Sequence, residues 1–193
     1  MVGRRTYWCH GSGTSVGGAQ PAASSGVACG VERWAVKTLT DAGARSIHFG
    51  PRPTTIAALR RLHPPGELGT GRIGPVEKTT YRVRARLVAF KLEEDSDIHL
   101  VIADPHTGGT MIAEFPASFC VGSTAPSTAK AEMKAARAAI LRCGAAPRDR
   151  FAPLAGLVTI TGVGFWDFDH GQRGVAPNAI ELHPLLKITG ACT

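Results

Sequence analysis

Acidic side chains concentrate in two short polar segments of this 193-residue sequence. Residues 93–97 read Glu-Glu-Asp-Ser-Asp, and residues 167–170 read Asp-Phe-Asp-His. Carboxylate oxygens are the ligands that hard divalent cations prefer, and Asp-x-Asp spacing places two carboxylates on one side of an extended backbone. The spacing therefore predicts a divalent-cation site, with calcium as the expected ion, whose ligands are Asp95, Asp97, Asp167 and Asp169. The alternative is that residues 93–97 form only a solvated hairpin turn.

Histidine and glutamate residues later in the chain are candidates for proton transfer. Glu181 and His183 lie two residues apart in an alternating run, so both face away from its apolar side chains. Histidine acts as a general base near neutral pH, and with His170 from the second acidic segment these residues form our candidate catalytic set. Glu181, His183 and the outward-facing His99 could instead form a surface ladder with three nearby arginines, Arg82, Arg84 and Arg86.

The elements that must position these residues are mainly β-strands. Alternating or apolar runs predict five strands, at residues 81–90, 97–104, 110–115, 157–168 and 179–188. An Ala-rich run at residues 129–143 predicts a helix between the third and fourth strands. This is the element order of an OB-fold, a five-stranded Greek-key barrel, and an α+β sandwich of similar order is the alternative. In an OB-fold the loops between strands one and two and between strands four and five share the binding side, so the two acidic segments should meet there.

The rest of the chain surrounds this predicted barrel domain of residues 78–193. Residues 1–30 are rich in Gly, Ser and Ala and lack the apolar core of a signal peptide, so we expect a disordered leader or a start that is not the native one. Residues 31–77 are predicted to form an extension that packs on the barrel. No apolar run is long enough for a membrane-spanning helix. The net charge of +7 allows an anionic partner, but the acidic segments oppose direct phosphate binding at the predicted site.

The five cysteines contain no Cys-x-x-Cys pair, which argues against a structural zinc site. Cys120 ends a strand-like run and Cys143 ends the predicted helix, so a disulfide between them would join the helix to the barrel. Two buried free thiols are the alternative. A disulfide would indicate an oxidising compartment.

Four phrases in the sequence carry a resemblance to known proteins. They are Asp-Ile-His-Leu-Val-Ile-Ala-Asp-Pro (97–105), Met-Ile-Ala-Glu-Phe-Pro (111–116), Gly-Val-Gly-Phe-Trp-Asp-Phe-Asp-His-Gly-Gln (162–172) and Ala-Pro-Asn-Ala-Ile-Glu-Leu-His-Pro (176–184). Over residues 31–188 the chain resembles a group of small, uncharacterised bacterial proteins that are often exported. The resemblance implies a periplasmic or extracellular protein and brings no established activity with it.

Two functions fit these observations. The first is a metal-dependent hydrolase of small esters, lactones or phosphodiesters, in which the cation polarises the substrate and activates water. The second is a non-catalytic OB-fold module that binds nucleic acid, carbohydrate or a protein partner. Phe165, Trp166 and Phe168 could stack on nucleic-acid bases, although Trp166 and Phe168 share the alternation of the predicted core. The acidic loops favour the hydrolase.

Overall fold

The structure is a computed structural model that describes residues 28–192. The greater part of the predicted leader, together with Cys9, lies outside the described residues. The described chain contains seven strands: β1 (His48–Pro53), β2 (Thr79–Leu92), β3 (Ile98–Ala103), β4 (Thr110–Phe115), β5 (Ala152–Pro153), β6 (Gly156–Trp166) and β7 (Ile180–Cys192).

Five of these strands close into a barrel. Antiparallel pairing joins β2 to β3, β3 to β4, β6 to β7 and β2 to β6, and parallel pairing joins β4 to β7. The barrel therefore runs β2-β3-β4-β7-β6 and returns to β2, which is the strand order of an OB-fold. The predicted fold class, a mainly β barrel with a helix between its third and fourth strands, is confirmed.

The alternation in β2 shows why these residues form a barrel wall. From Tyr81 to Leu87 every second side chain is buried in the barrel core, and the three arginines between them are exposed. A β-bulge between Leu87 and Ala89 then shifts the register by one residue. The alternation alone predicts that Ala89 faces the interior, but because of the bulge Phe90 takes that place in the barrel core.

Three α-helices accompany the strands: α1 (Trp34–Lys37), α2 (Ile56–Leu59) and α3 (Ser127–Leu141). The helix α3 is the predicted Ala-rich helix and packs mainly against β7. Its Ala136 and Ile140 belong to the barrel core, whereas Ala129 and Met133 belong to a second apolar cluster outside the barrel. Short 3₁₀ turns occur at Ala42–Ser46, Val76–Lys78 and Ser118–Cys120.

The segment before β2 is held to the barrel by a buried ion pair. Arg33 donates to both carboxylate oxygens of Glu77, each at 2.7 Å, and to the backbone carbonyl of Trp166 in β6. Glu77 also accepts from the backbone N–H groups of Ile73 and Trp166. Because every oxygen of this carboxylate has charge-assisted partners, the pair compensates for the desolvation of two buried charges. The strand β1 adds to the same region by pairing in parallel with β2.

Two disulfides correct the predicted cysteine pairing. Cys120 is bonded to Cys29, and Cys143 is bonded to Cys192, each with Cα atoms 5.7 Å apart. The predicted bridge between Cys120 and Cys143 is therefore wrong, and so is the alternative of two free thiols. The helix end is joined to the last residues of β7 instead, and the loop after β4 is joined to the segment before α1.

Candidate functional site

The outer face of β3, β4 and β7 carries a row of ionisable side chains. His99 of β3 lies directly opposite Glu114 of β4, and residues directly opposite each other in an antiparallel pair share one face of the sheet. Glu181 and His183 of β7 alternate with Ile180 and Leu182, which point into the barrel core. The alternation predicted from the sequence thus places Glu181, His183 and His99 on one face.

Other parts of the chain cover this face. The loop between β6 and β7 crosses β3, where Nε2 of His99 donates to the carbonyl oxygen of Arg173 at 3.0 Å. Gly174 in this loop has a φ of +90°, and a Cβ at that position would lie 2.5 Å from Cγ1 of Val101. Only glycine allows so close an approach in this left-handed conformation. The outward-facing side chains are consequently buried rather than solvated.

The imidazole of His183 lies between two carboxylates. Its Nε2 is 3.3 Å from Oδ2 of Asp97, and its Nδ1 is 3.0 Å from Oε2 of Glu114. The other oxygen of Glu114 lies 3.3 Å from Nδ1 of His99. Asp97 is fixed from the other side, because its Oδ1 accepts from the backbone N–H of Ala117 at 3.2 Å. The result is a continuous buried row, Asp97, His183, Glu114 and His99.

Several polar atoms in this row are short of hydrogen bonds. The contacts of His183 are short, but their directions do not fit hydrogen-bond geometry. Among residues 28–192, both ring nitrogens of His183, Oδ2 of Asp97 and Oε2 of Glu181 are buried without a hydrogen-bond partner. Leaving one such group unpaired costs about 1–3 kcal/mol, so native proteins seldom keep several together unless a further partner satisfies them.

A metal ion would be such a partner. One ligand atom from each of Asp97, Glu114 and His183 lies within 4.8 Å of the other two. Metal–ligand bonds to imidazole nitrogen and carboxylate oxygen are about 2.0–2.2 Å long, so an ion bound by all three residues would draw their ligand atoms closer together than the 4.8 Å limit. These three residues form a group that could hold a metal ion.

A lysine from α1 completes the ionisable cluster. Nζ of Lys37 lies 3.6 Å from Oδ2 of Asp167 and 5.3 Å from the ring centre of Phe165. Lys37 thus faces four buried or nearly buried carboxylates, those of Asp97, Glu114, Asp167 and Glu181. Since one lysine cannot balance four carboxylates, the cluster needs either extra protons or a further cation.

The carboxylates respond in opposite ways to this crowding. Burial, reinforced by the charges of Glu114 and Asp167, raises the pKa of Glu181 well above its usual value. Burial also raises the pKa of Asp97, although His183 opposes the change. Burial alone would raise the pKa of Glu114 too, but its two histidine neighbours outweigh it and hold that pKa far below the usual value. Glu114 is therefore the carboxylate of the cluster that most readily keeps its charge, and Glu181 is the one that most readily takes up a proton.

The histidines and the lysine hold their protons more tightly than usual. Burial lowers the pKa of His183, but Asp97 and Glu114 outweigh this and raise it. In the same way Glu114 raises the pKa of His99 against its burial. Since Nε2 of His99 already donates to a carbonyl, its Nδ1 can satisfy Glu114 only by carrying a proton as well. The surrounding carboxylates likewise raise the pKa of Lys37 against the effect of burial.

The residues predicted from the sequence fall into two groups. The structure brings four of them into or beside the cluster: Asp97, Asp167, Glu181 and His183. Oδ1 of Asp95 accepts from the backbone N–H of Asp97 and so caps the turn. Asp169 is exposed and accepts from the backbone of Gly171, and His170 is exposed with Nε2 3.6 Å from Glu32.

Two members of the cluster were not among the predicted site residues. Glu114 occupies an outward position of an alternating strand, so the pattern that selected His99 could have selected it too. Lys37 carries no such signal, because its approach to the sheet depends on how the segment before the barrel folds back. The predicted arginine ladder is absent from residues 28–192: none of their ion pairs joins Arg82, Arg84 or Arg86 to His99, Glu181 or His183.

Comparisons with protein-family models, with curated proteins and with solved structures find no match for this chain. Of the helices in residues 28–192, none is long and apolar enough to cross a membrane.

Proposed function

We propose that this protein binds a divalent metal ion through Asp97, Glu114 and His183 and uses it to hydrolyse a small substrate. The observation that supports the proposal is the group of three buried ligand atoms within 4.8 Å, two of whose residues have atoms without hydrogen-bond partners. A bound cation would satisfy those atoms and would also offset the excess of carboxylates around Lys37.

The donor set changes the ion that we propose. Calcium takes oxygen ligands, whereas an imidazole beside two carboxylates suits zinc or another first-row transition metal. Three protein ligands would leave a coordination position for water, which is the arrangement of catalytic zinc sites. Our proposal is therefore a transition-metal ion, with calcium as the competitor to be tested.

Hydrolysis is the reaction that this arrangement supports. When bound, a metal would lower the pKa of a water molecule and so provide hydroxide near neutral pH, with the proton of that water passing to solvent. In ester hydrolysis the hydroxide adds to the acyl carbon, the bond to the alkoxy oxygen breaks, and the leaving alcohol takes up a proton. Glu181, whose pKa is raised by burial, could supply that proton, and Lys37 could stabilise negative charge on the substrate oxygen. Small esters, lactones and phosphodiesters are the proposed substrates.

A non-catalytic role is the second candidate, and burial favours it. The side chains of Asp97 and His183 are 1% and 0% exposed, which leaves a substrate little access without movement of the covering loop. In other OB-folds the face of strands two and three binds nucleic acid or carbohydrate, but here the corresponding face is occupied by the chain itself. Phe165, a proposed base-stacking residue, is fully buried beneath Lys37. The metal would then link the turn before β3 to β4 and β7 within the barrel.

The two disulfides are consistent with an exported protein, because structural disulfides persist in oxidising compartments. We propose export to the periplasm or the cell exterior, in agreement with the resemblance carried by the sequence.

The hydrolase proposal is tested with purified protein that is stripped of metal and reloaded with zinc, manganese or calcium. Chromogenic esters, lactones and phosphodiesters are then assayed for wild type, Asp97→Asn and the exposed control Asp169→Asn. Hydrolysis that requires metal, is lost in Asp97→Asn and is kept in Asp169→Asn supports the proposal. Metal binding without hydrolysis supports the structural role, and protein that neither binds metal nor hydrolyses any substrate contradicts both.

A further inference from the structure

A second surface of the barrel, which shares no residue with the ionisable cluster, presents a row of cations to solvent. Arg82, Arg84 and Arg86 are exposed on the outer face of β2. Successive outward residues of a strand are about 7 Å apart, since each residue advances the strand by about 3.4 Å. Within residues 28–192, no ion pair involves any of the three.

The neighbouring strands extend this row into a basic surface with threonines at its centre. Arg82 lies opposite Thr161 of β6, which lies opposite Lys187 of β7. Arg84 lies opposite Thr159, which in turn lies opposite Thr189. Directly opposite residues share a face, so cations flank a strip of hydroxyl groups across three strands.

This surface contains the groove of about 500 Å³ that is lined by Arg82, Thr159, Thr161, Lys187 and Thr189. Phe49 of β1, which is 38% exposed, forms one wall of the groove. Glu132 of α3 is the acidic residue that lines it. Because two cations face this one carboxylate in the lining, the groove favours an anionic partner that can bond with hydroxyl groups.

We propose that this groove binds an acidic polysaccharide, one that carries carboxylate or sulfate groups on its sugars. Guanidinium groups pair bidentately with such anions, threonine hydroxyls suit sugar hydroxyls, and Phe49 offers an apolar ring to the face of a sugar. Single-stranded nucleic acid fits less well, because its binding sites rely on aromatic side chains on which successive bases stack. Here threonines line the bottom of the groove, and Phe49 is the single aromatic residue among those that line it.

The proposal goes beyond the metal site and does not depend on it. The two disulfides agree with it, since acidic polysaccharides are abundant outside the cytoplasm, in the oxidising surroundings where structural disulfides persist.

The test measures binding of full-length protein to polygalacturonate, heparin, a single-stranded oligonucleotide and polyglutamate by calorimetry at low and at physiological ionic strength. The variant Arg82→Gln/Arg84→Gln removes one cation that lines the groove and the next cation on the same face of β2, and Arg148→Gln removes an exposed cation near the other end of β2. Thr159→Val/Thr161→Val removes two hydroxyls with little change of volume. Melting temperatures establish that each variant folds.

We expect one of the two polysaccharides to bind more tightly than the oligonucleotide and polyglutamate. Arg82→Gln/Arg84→Gln should weaken this binding about ten-fold, as two partly exposed charge contacts would, and Arg148→Gln should leave it unchanged. The valine variant should weaken polysaccharide binding as well. The proposal is overturned if no polysaccharide binds, if all four polyanions bind equally, if the oligonucleotide binds most tightly, or if the arginine variant binds like wild type.

Discussion

At the scale of single residues, the central feature is a glutamate shared by two histidines. Glu114 contacts His183 with one oxygen and His99 with the other, and it stays anionic although it is buried. Asp97 occupies the far side of His183. The polar atoms of this row can find partners in two ways. Either the histidines carry protons and donate to the carboxylates, or a metal ion replaces those protons, because metal ligands must be deprotonated.

The aspartates selected from the sequence can be distinguished by substitution. Asp97→Asn should abolish the rise in melting temperature that metal produces, because it removes an anionic ligand. Asp167→Asn should keep most of that rise, since the Asp167 carboxylate lies beside Lys37. Differential scanning fluorimetry with and without metal checks this prediction. If both variants lose the metal-induced rise in melting temperature equally, the ligands are instead the aspartates predicted from the two acidic segments.

The raised pKa of Glu181 predicts a pH dependence for the metal-free protein. A carboxyl group whose pKa is higher in the folded state binds a proton on folding. Its stabilisation is full below the ordinary glutamate pKa of 4.5 and declines as the pH rises through the folded value. Wild type in chelator should therefore lose unfolding free energy as the pH rises above 4.5, and Glu181→Gln should lose less. Urea denaturation at a series of pH values measures the unfolding free energy of wild type and of Glu181→Gln. Glu94→Gln, at an exposed position, is the control. Identical pH profiles for Glu181→Gln and wild type would contradict the raised pKa of Glu181.

At the scale of elements, the segment before the barrel is fastened by the buried Arg33–Glu77 pair, whose side chains are 4% and 0% exposed. Substitution of Glu77 by Gln would leave the Arg33 guanidinium buried without its counter-charge. Loss of one partner of a buried pair typically destabilises a protein by about 3–5 kcal/mol. Chemical denaturation of Glu77→Gln should show a loss of this size, and the exposed pair of Asp149 and Arg150 supplies the control Asp149→Asn, which should behave like wild type. A small effect in Glu77→Gln would contradict this role.

The strands were predictable because alternation is a local signal. The predicted run 110–115 coincides with β4, and the other barrel strands differ from their predicted bounds by up to four residues. The bulge after Leu87 was not predictable, since an extra residue in one strand is defined only by its partner strand.

Burial of the outward face was unpredictable for a related reason. His99 and Glu181 have the sequence pattern of solvated strand residues. The loop that contains Gly174, 75 residues after His99, covers that face. The segment that contains Lys37, 62 residues before His99, covers it as well. No local sequence pattern encodes these contacts. The acidic segments therefore supplied Asp97 and Asp167 to the buried cluster, but they also included Asp95 and Asp169 and omitted Glu114.

At the scale of the whole molecule, one disulfide joins the first described residues to the loop after β4, and the other joins the end of α3 to the end of β7. They close loops with sequence separations of 91 and 49 residues, for which the chain-entropy model gives about 4–5 kcal/mol each. Removal of either by Cys→Ala substitution should lower the unfolding free energy by an amount of this order. Peptide mapping without reduction should yield Cys29 linked to Cys120 and Cys143 linked to Cys192. Recovery of a Cys120–Cys143 peptide would show that the structure has the pairing wrong.

The most direct test of the metal site is calorimetric titration of metal-free protein with zinc, manganese and calcium. We predict one ion per chain, tighter binding of a transition metal than of calcium, and release of protons on binding, because metal ligands bind in their deprotonated form and the carboxylates around His183 raise its pKa. Asp97→Asn/Glu114→Gln should abolish the heat of binding, and Asp169→Asn should keep it. No heat for any of the three ions at millimolar concentration, or unchanged binding by Asp97→Asn/Glu114→Gln, would contradict the account.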